Sequence, residues 1–146
     1  MDQISGLNIR HMTNADMSAI SKIDQKITGR ERGWQQKASS HVGTYHSSFS
    51  FVAEVEGMLV GFIIGDLRGA DYALPPGGYI DIMGVDPEYQ GKGIGKKLLE
   101  YFIRECLDSG IKARGLLRGD QKRMHAFLTS AGFQRGDLVE FVKGFD

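Results

Sequence analysis

Four stretches in the first 85 residues have the pattern of β-strands. They alternate apolar with polar residues or are rich in β-branched and aromatic side chains, and they lie at residues 7–12, 49–55, 58–65 and 79–85. Glu56 and Gly57 alone separate the second stretch from the third, which predicts an antiparallel hairpin. We expect these four stretches to form β-strands.

Three further stretches repeat apolar residues at helical spacing. The first follows Thr13 and Asp16, which resemble a capping box, and its apolar face is Met17, Ile20, Ile23 and Ile27. The second begins at Ile94, ends before Gly110, and its stripe is Ile94, Leu98, Leu99, Phe102, Ile103, Cys106 and Leu107. The third covers residues 121–131, with Gly132 as its stop.

The remaining segments are less regular. A weaker pattern after the loop at 28–34 predicts one more helix that ends near residue 42. Short apolar stretches at 113–118, 133–135 and 138–143 predict three strands in the last third of the chain. The order is then strand, one or two helices, three strands, helix, strand, helix and two strands.

The segment between the strand at 79–85 and the central helix is rich in glycine. Pro87 has no N–H for a ladder and disfavours helix at Asp86, so the strand must end there. Gly91, Gly93 and Gly95 then lead into the helix. A helix N-terminus offers unpaired N–H groups and a positive dipole end, and glycine lets a ligand approach that backbone closely. The pattern predicts an anion site, with phosphate as the anion it suits best.

Three phosphate-binding patterns compete for this segment. A P-loop needs a glycine where Gln90 stands, and the dinucleotide fingerprint needs a glycine at Lys96 or Leu98. The pattern Gln/Arg-x-x-Gly-x-Gly/Ala is met by Gln90, Gly93 and Gly95. Here the chain resembles the GCN5-related N-acetyltransferase (GNAT) superfamily, and the resemblance extends from residue 7 to residue 145. A purely structural glycine turn is the alternative reading.

The resemblance implies the fold and the bound co-substrate. The fold class is mixed α/β (α+β), with one central mixed sheet of about seven strands, splayed at the central strand, and about four flanking helices. The implied co-substrate is acetyl-CoA, with its pyrophosphate on the glycine loop and its pantetheine arm along the central strand. The residues implied are Met83, Gly84, Val85, Gln90, Gly91, Lys92, Gly93, Ile94, Gly95 and Lys96.

Asp81 is the candidate catalytic base. It lies four residues before Val85, where many members of the superfamily carry a glutamate on the central strand. Strand alternation predicts that its side chain shares a face with those of Met83 and Val85. An aspartate is a weak base at its ordinary pKa of about 3.9, so the role requires burial or a bridging water. An aspartate that only binds loop donors or the acceptor's cation is the competing interpretation.

The other site residues have weaker support. Many members have a tyrosine acid where this chain has Leu128, so no dedicated acid is predicted. In this fold the loop after the first helix covers the acceptor, and its two arginines could bind an anionic group. The candidate acceptor residues are Thr28, Arg30, Arg32 and Trp34, and ordinary surface charges with one core aromatic explain the same residues.

Composition narrows the classes of protein and partner. The 146 residues suit a single domain, 1–146, and the 41% hydrophobic and 25% charged contents are ordinary for a globular protein. A formal net charge of zero gives no basic field for nucleic acid or an anionic membrane. Cys106 is the single cysteine, which fits a reducing compartment, and its place on the helix stripe predicts core packing. No apolar stretch suits a signal or a span, and the histidines lack metal-ligand spacing.

Two functions from different classes follow. The first is an acetyl-CoA-dependent N-acetyltransferase of the cytoplasm that acts on a primary amine, in a small molecule or a protein, by direct attack in a ternary complex. The second is a non-catalytic CoA-binding module used for regulation or protein contact. Asp81 favours the enzyme, and Leu128 favours the module. The acceptor and a homodimer are left open.

Overall fold

The computed structural model describes residues 4–30, 47–69 and 74–145. They fall into two compact units, Met1–Leu116 and Leu117–Asp146. The first unit contains a five-stranded sheet and two α-helices. Their bounds are Leu7–His11 for β1, Met17–Thr28 for α1, Phe51–Val55 for β2, Met58–Arg68 for β3, Gly77–Val85 for β4, Ile94–Asp108 for α2 and Ala113–Gly115 for β5.

The sheet has the strand order β1-β2-β3-β4-β5. The first three pairings are antiparallel and the pairing of β4 with β5 is parallel, so the sheet is mixed. Glu56 (φ 52°) and Gly57 (φ 80°) form the tight turn between β2 and β3, since both have the positive φ that such a hairpin turn requires. The mixed α/β class and the hairpin are confirmed.

The two helices cover opposite faces of the sheet. The α1 stripe packs with side chains of the central strands, in a cluster of Met12, Met17, Ile20, Ile23, Val52, Phe62 and Ile64. On the other face α2 approaches closely: a Cβ on Gly65 would lie 2.5 Å from the Phe102 ring, and one on Gly61 would lie 3.2 Å from Ile94 and Leu98. Leu107, which we assigned to the α2 stripe, is exposed instead.

The start of α1 is held to the sheet by charge. Asp16 forms the predicted capping box with Thr13 and ends a 3₁₀ turn at Asn14–Asp16. Arg10 on β1 donates two hydrogen bonds to its carboxylate, at 2.8 and 2.9 Å, and a third to Glu54 on β2 at 3.1 Å. The bond from Arg10 lowers the pKa of Asp16 below its usual range, although burial opposes this. These contacts fix where the helix leaves the sheet.

β3 continues for three residues beyond the predicted end at Gly65 and pairs irregularly with β4. Ile64 pairs with Ile82, but the next residue, Gly65, pairs with Ile80, so Asp81 has no partner across the ladder. Two residues of one strand then oppose one of the other, which defines a β-bulge. The bulge lies in the middle of the sheet, on the strand that carries the candidate base.

Ser50 supports the bulged region from the other side. It is fully buried, its hydroxyl accepts the Gly65 N–H at 3.1 Å, and it lies 3.3 Å from the Gly65 carbonyl oxygen. Ser50→Ala removes the partner of both backbone groups, so we expect a loss of about 1–3 kcal/mol in the free energy of unfolding. Urea denaturation measures this loss as a lower midpoint at constant slope. Ser18→Ala, at an exposed position of α1, is the control and should change the free energy by less than about 0.5 kcal/mol.

The second unit contains one helix in its described residues, α3 at Lys122–Ser130. Gly132 (φ 95°) ends it as predicted, and the Phe133 N–H returns to the Leu128 carbonyl at 3.0 Å. The strands predicted at 133–135 and 138–143 are wrong for this structure, because residues 133–145 form no ladder in it. A strand exists only when another strand takes its hydrogen bonds, which the alternation of residues cannot ensure.

The numbers of strands and helices complete the comparison with the predictions. Five strands and three α-helices are present over the described residues, against about seven and about four expected from the resemblance. The additional helix predicted to end near residue 42 lies outside the described residues. Across the ranges 4–30, 47–69 and 74–145, no helix is long and apolar enough to cross a bilayer.

Candidate active site

One edge of β4 is open over half its length. β5 pairs with β4 only from Gly78 to Ile80, opposite Ala113 to Gly115. Beyond that point, from Asp81 to Val85, the described residues of the first unit give β4 a ladder partner only on the β3 side. Among these described residues the edge from Asp81 to Val85 is unpaired, and an extended ligand could pair with it as a neighbouring strand would.

The register shows which backbone groups face this edge. The Asp86 N–H donates to the Val60 carbonyl of β3 at 2.8 Å, so Asp86 and Val60 form a hydrogen-bonded pair. In an antiparallel ladder the pairs alternate, so Val85 opposite Gly61 and Met83 opposite Ile63 are non-hydrogen-bonded pairs. Their N–H and C=O groups consequently point away from β3. Gln90 confirms this direction, since its side-chain amide donates to the Val85 carbonyl at 3.0 Å.

The glycine turn follows β4 directly and has the predicted local structure. Asp86 accepts the Glu88 N–H at 3.0 Å and starts a 3₁₀ turn at Pro87–Tyr89. Gly91 (φ 80°) and Gly93 (φ 84°) adopt left-handed conformations, and Gly93 is the residue that precedes α2. A Cβ on Gly91 would meet nothing within 4 Å, so the space beside the turn is open.

The first turn of α2 presents backbone donors beside this open space. Ile94, Gly95 and Lys96 have no carbonyl four residues earlier in the helix to bond, as at every helix N-terminus. The Ile94 side chain is buried in the core, so only its backbone is available to a ligand. Lys92 and Lys96 are exposed and add positive charge. The arrangement suits a phosphate or pyrophosphate, as the sequence predicts.

The C-terminal end of α1 lies beside the second half of β4. Lys26 donates to the Asp86 carboxylate at 2.9 Å, and a Cβ on Gly84 would lie 2.8 Å from the Ile27 methyl. Thr28 and Arg30, two candidate acceptor residues, follow at this end of α1, where the Thr28 hydroxyl donates to the Arg30 carbonyl at 3.0 Å. The other two, Arg32 and Trp34, lie outside the described residues.

The bulge moves Asp81 to a face that alternation did not predict. A Cβ on Gly78 would lie 2.6 Å from Cys106 of α2, whereas Gly84 faces Ile27 of α1. Residues six apart in a regular strand share a face, so the bulge between them reverses the alternation. Asp81 bonds to Arg68 of β3, whose side chain shares a face with Ile64 and hence with the α1 side. The predicted common face with Met83 and Val85 is therefore wrong.

The Asp81 carboxylate is mostly buried, and one of its two oxygens has a hydrogen-bond partner among the described residues. Its side chain is 12% exposed, and Oδ1 accepts a short hydrogen bond from Nη2 of Arg68. Oδ2 is buried and has no hydrogen-bond partner in the described part of the chain. Burial raises the pKa of Asp81 to about 6, Asp66 acts in the same direction, and the Arg68 guanidinium opposes the rise. A carboxyl with a pKa of about 6 is a far better base near neutral pH than an ordinary aspartate.

Arg68 and Asp66 act on the candidate base Asp81, and the sequence interpretation missed both. The Arg68 Nε lies 3.9 Å from the Asp66 Oδ2, and its guanidinium carbon lies 5.7 Å from the centre of the Tyr79 ring. Both residues were missed because β3 was ended at Gly65, which left them in a loop. The alternation of polar and apolar residues at Asp66, Leu67 and Arg68 is the signal that extends the strand to Arg68.

Cys106 lies in the core rather than in the candidate site. Cys106 is buried between α2 and β4, and burial raises the pKa of its thiol to about 11, so it is protonated at neutral pH. The prediction of core packing is confirmed. Within 4–30, 47–69 and 74–145 no three His, Cys, Asp or Glu side chains are grouped so that they could hold a metal ion.

Comparisons with known proteins agree with this geometry. The model of the acetyltransferase (GNAT) family matches residues 15–133. The N-alpha-acetyltransferase RimI of Mycobacterium tuberculosis strain H37Rv is 32% identical over 139 residues, which is 90% of this chain and 81% of that protein.

Two solved structures share the fold. The ribosomal-protein-S18-alanine N-acetyltransferase of Escherichia coli has a TM-score of 0.74 at 23% identity, over 90% of this chain and 79% of that one. The aminoglycoside N-acetyltransferase AAC(6')-Iy in complex with CoA has a TM-score of 0.75 at 16% identity, over 100% and 99% of the two chains. The chain therefore belongs to the acetyltransferase (GNAT) family and is an N-acetyltransferase.

Proposed function

We propose that this enzyme transfers the acetyl group of acetyl-CoA to a primary amine by direct attack in a ternary complex. One observation supports this most strongly. The open edge of β4 is followed, after the glycine turn, by a helix N-terminus that suits a pyrophosphate, and the same strand carries a buried carboxylate with one oxygen that has no partner among the described residues. A donor site and a base are thus a few residues apart on one strand.

The residues along this path fit the donor. The outward N–H and C=O groups of Met83 and Val85 would pair with the two amides of a pantetheine arm, and Gly84 permits the close packing of β4 on α1. The backbone from Gly91 to Lys96 would hold the pyrophosphate. When the arm binds, the Gln90 amide would either release the Val85 carbonyl to the arm or keep its hydrogen bond to that oxygen. Acetyl-CoA supplies an activated acyl group and a thiolate leaving group.

Asp81 would accept, through a water, the proton that the acceptor ammonium must lose before its nitrogen can attack the thioester carbonyl. An alkyl ammonium has a pKa of about 10.4, so removing that proton is the demanding step at neutral pH. A backbone N–H in this region of β4 that the pantetheine arm leaves free would stabilise the charge that develops on the thioester oxygen.

No dedicated acid is needed for the departing sulfur. The sequence has Leu128 in place of the tyrosine that the resemblance leads one to expect. A thiol has an ordinary pKa of about 8.5, so its thiolate leaves readily and takes a proton from water. Tyr79, the tyrosine nearest to Asp81 in sequence, donates its hydroxyl to the Pro75 carbonyl at 2.7 Å and packs in the core.

The acceptor we propose to test first is the α-amine of a peptide N-terminus. The basis is the 32% identity to a protein named as an N-alpha-acetyltransferase. Incubation with acetyl-CoA and a panel of amines, with release of free thiol followed over time, tests the proposal. The panel contains peptides with free and blocked N-termini, lysine side chains, aminoglycosides and simple alkyl amines. Thiol release that no amine accelerates would contradict the proposed transfer.

The turnover number should depend on the ionisation of Asp81. The carboxylate can accept a proton only when it is ionised, and burial raises its pKa from 3.8 to about 6. We therefore expect kcat to be limited by this group as pH falls through 6, approaching about a tenfold loss per pH unit below it. Values of kcat at saturating acetyl-CoA and amine, measured from pH 5 to 9, would show this decline at low pH, which we call the acid limb. The acid limb should be absent in Asp81→Asn.

The other expectations from the sequence stay predictions. These are the single-domain organisation of residues 1–146, the cytoplasmic location, the absence of nucleic acid and membrane partners, and the choice between monomer and homodimer.

A further inference from the structure

Arg68 is fixed by several groups at the end of β3. Its Nη2 donates to Asp81 Oδ1, its Nε lies 3.9 Å from Asp66, and its guanidinium lies over the Tyr79 ring. Tyr79 is itself buried and anchored through its hydroxyl to the Pro75 carbonyl. A planar guanidinium held by two carboxylates and an aromatic face has little freedom to reorient.

Asp81 depends on such a partner because the ladder does not orient it. It is the extra residue of the bulge, with Ile80 and Ile82 taking the pairings on either side. Bulges are known to redirect a side chain, but the backbone alone does not select which carboxylate oxygen faces the site. Arg68 makes that selection, since it occupies Oδ1 and leaves Oδ2 without a partner among the described residues.

We propose that Arg68 is a positioning residue that holds the Asp81 carboxylate by Oδ1, so that Oδ2 is the atom which receives the acceptor's proton. The proposal deepens the proposed function and rests on Asp81 as the base. In the proton transfer the amine N–H bond breaks, the new O–H bond forms on Oδ2 through water, and Arg68 keeps its own protons. Arg68 contacts neither acceptor nor acetyl-CoA in this scheme.

The charges around Asp81 allow Arg68 to hold the Asp81 carboxylate while the carboxylate remains basic. Arg68 and Asp66, both from β3, are the charged groups that act on Asp81 among the described residues, and they act in opposite directions on its pKa. Burial outweighs the guanidinium, so the carboxyl stays basic although it is paired. On α1, which packs over this face, the charged residues are Lys22, Asp24 and Lys26, and Lys26 pairs with Asp86.

The test compares Arg68→Met with Arg68→Lys. We expect Arg68→Met to lower kcat about 10- to 100-fold at pH 7 and to leave the KM of acetyl-CoA and of the amine within about twofold. The acid limb of kcat should move to higher pH, because the cation that stabilises the carboxylate is gone. Arg68→Lys keeps the charge and should restore part of kcat and most of the limb. The double variant with Asp81→Asn should be no slower than Asp81→Asn alone.

A matched control comes from α2. Arg104 also lies over a tyrosine ring, with its guanidinium carbon 5.9 Å from the centre of Tyr101, but no carboxylate in the described residues bonds to it. Arg104→Met should leave kcat and its pH limb unchanged. An Arg68→Met variant that raises the amine KM at unchanged kcat would make Arg68 an acceptor-binding residue and overturn the proposal.

A second measurement is independent of turnover. The carboxyl carbon of Asp81, followed by ¹³C NMR in the enzyme without substrates, should titrate at higher pH in Arg68→Met than in the wild type or in Arg68→Lys. Equal titration in all three would overturn the proposal even if Asp81→Asn is inactive. If the Asp81 titration shifts in Arg68→Met but Asp81→Asn is fully active, Arg68 pairs with Asp81 and Asp81 is not the base. Failure of the Arg68 proposal is thus distinguishable from failure of the proposed function.

Discussion

Asp81→Asn is expected to lower the turnover number by about 10²–10⁴-fold near neutral pH, the range that general-base catalysis usually supplies. The substitution keeps the size of the side chain and its place at the bulge but removes the basic oxygen. The buried position supports an effect of this size, since a base with a pKa of about 6 is well matched to neutral pH. Steady-state rates with the best amine of the panel measure the loss.

The Asp81→Asn loss should partly recover at high pH, where free amine is abundant without a base. CoA affinity, measured by calorimetry, should stay within about twofold, because the glycine turn lies beyond the strand that carries Asp81. Asp108→Asn, at the exposed C-terminal end of α2, is the control and should retain wild-type turnover. A variant that instead raises the amine KM at unchanged turnover would make Asp81 a binding residue.

Gly93→Val should weaken CoA binding by about 10- to 100-fold or more. The valine side chain would project where the donors of the α2 N-terminus converge, and each charge-assisted hydrogen bond lost costs about 1.5–3 kcal/mol. Gly93 has φ 84°, which a β-branched residue adopts only with strain, so some stability is lost as well. Calorimetry with CoA measures the affinity, and thermal unfolding measures the strain.

Two further variants separate strain from the loss of binding. Gly110→Val introduces valine at φ 71° after α2, where a Cβ meets nothing within 4 Å, so it carries similar strain away from the turn. It should lower stability and leave CoA affinity unchanged. Gly95→Val lies in the first turn of α2, at a position without positive φ, and should weaken binding with less strain. Unchanged affinity in folded Gly93→Val and Gly95→Val would contradict the pyrophosphate assignment.

The local elements could be predicted from the sequence because their causes are local. Pro87 cannot continue a strand, Gly93 accepts the left-handed conformation before α2, and Glu56-Gly57 suits a tight hairpin turn. Each depends on the backbone preferences of two or three neighbouring residues. The anion site follows from the same segment, since a helix N-terminus after glycines carries unpaired donors whatever surrounds it.

The setting of Asp81 could not be predicted in this way. Its face depends on a bulge, which arises from the pairing of Ile80 with Gly65 and of Ile82 with Ile64 across two strands. Its basicity depends on burial and on Arg68, which is 13 residues earlier in the chain. Cross-strand register is a property of two segments together, so neither segment alone contains it.

The sequence by itself determined the hairpin and the strand, turn and helix of the proposed CoA site, because these follow from local conformational preference and the period of apolar residues. The mixed α/β class was implied by the family resemblance. Only the tertiary structure decided that β3 extends to Arg68 and that the pairing of β4 with β5 ends at Ile80. It also decided that residues 133–145 form no strands. These features depend on which segments take one another's hydrogen bonds and which side chains they bury. Such pairing is settled by the free energy of the whole assembled core.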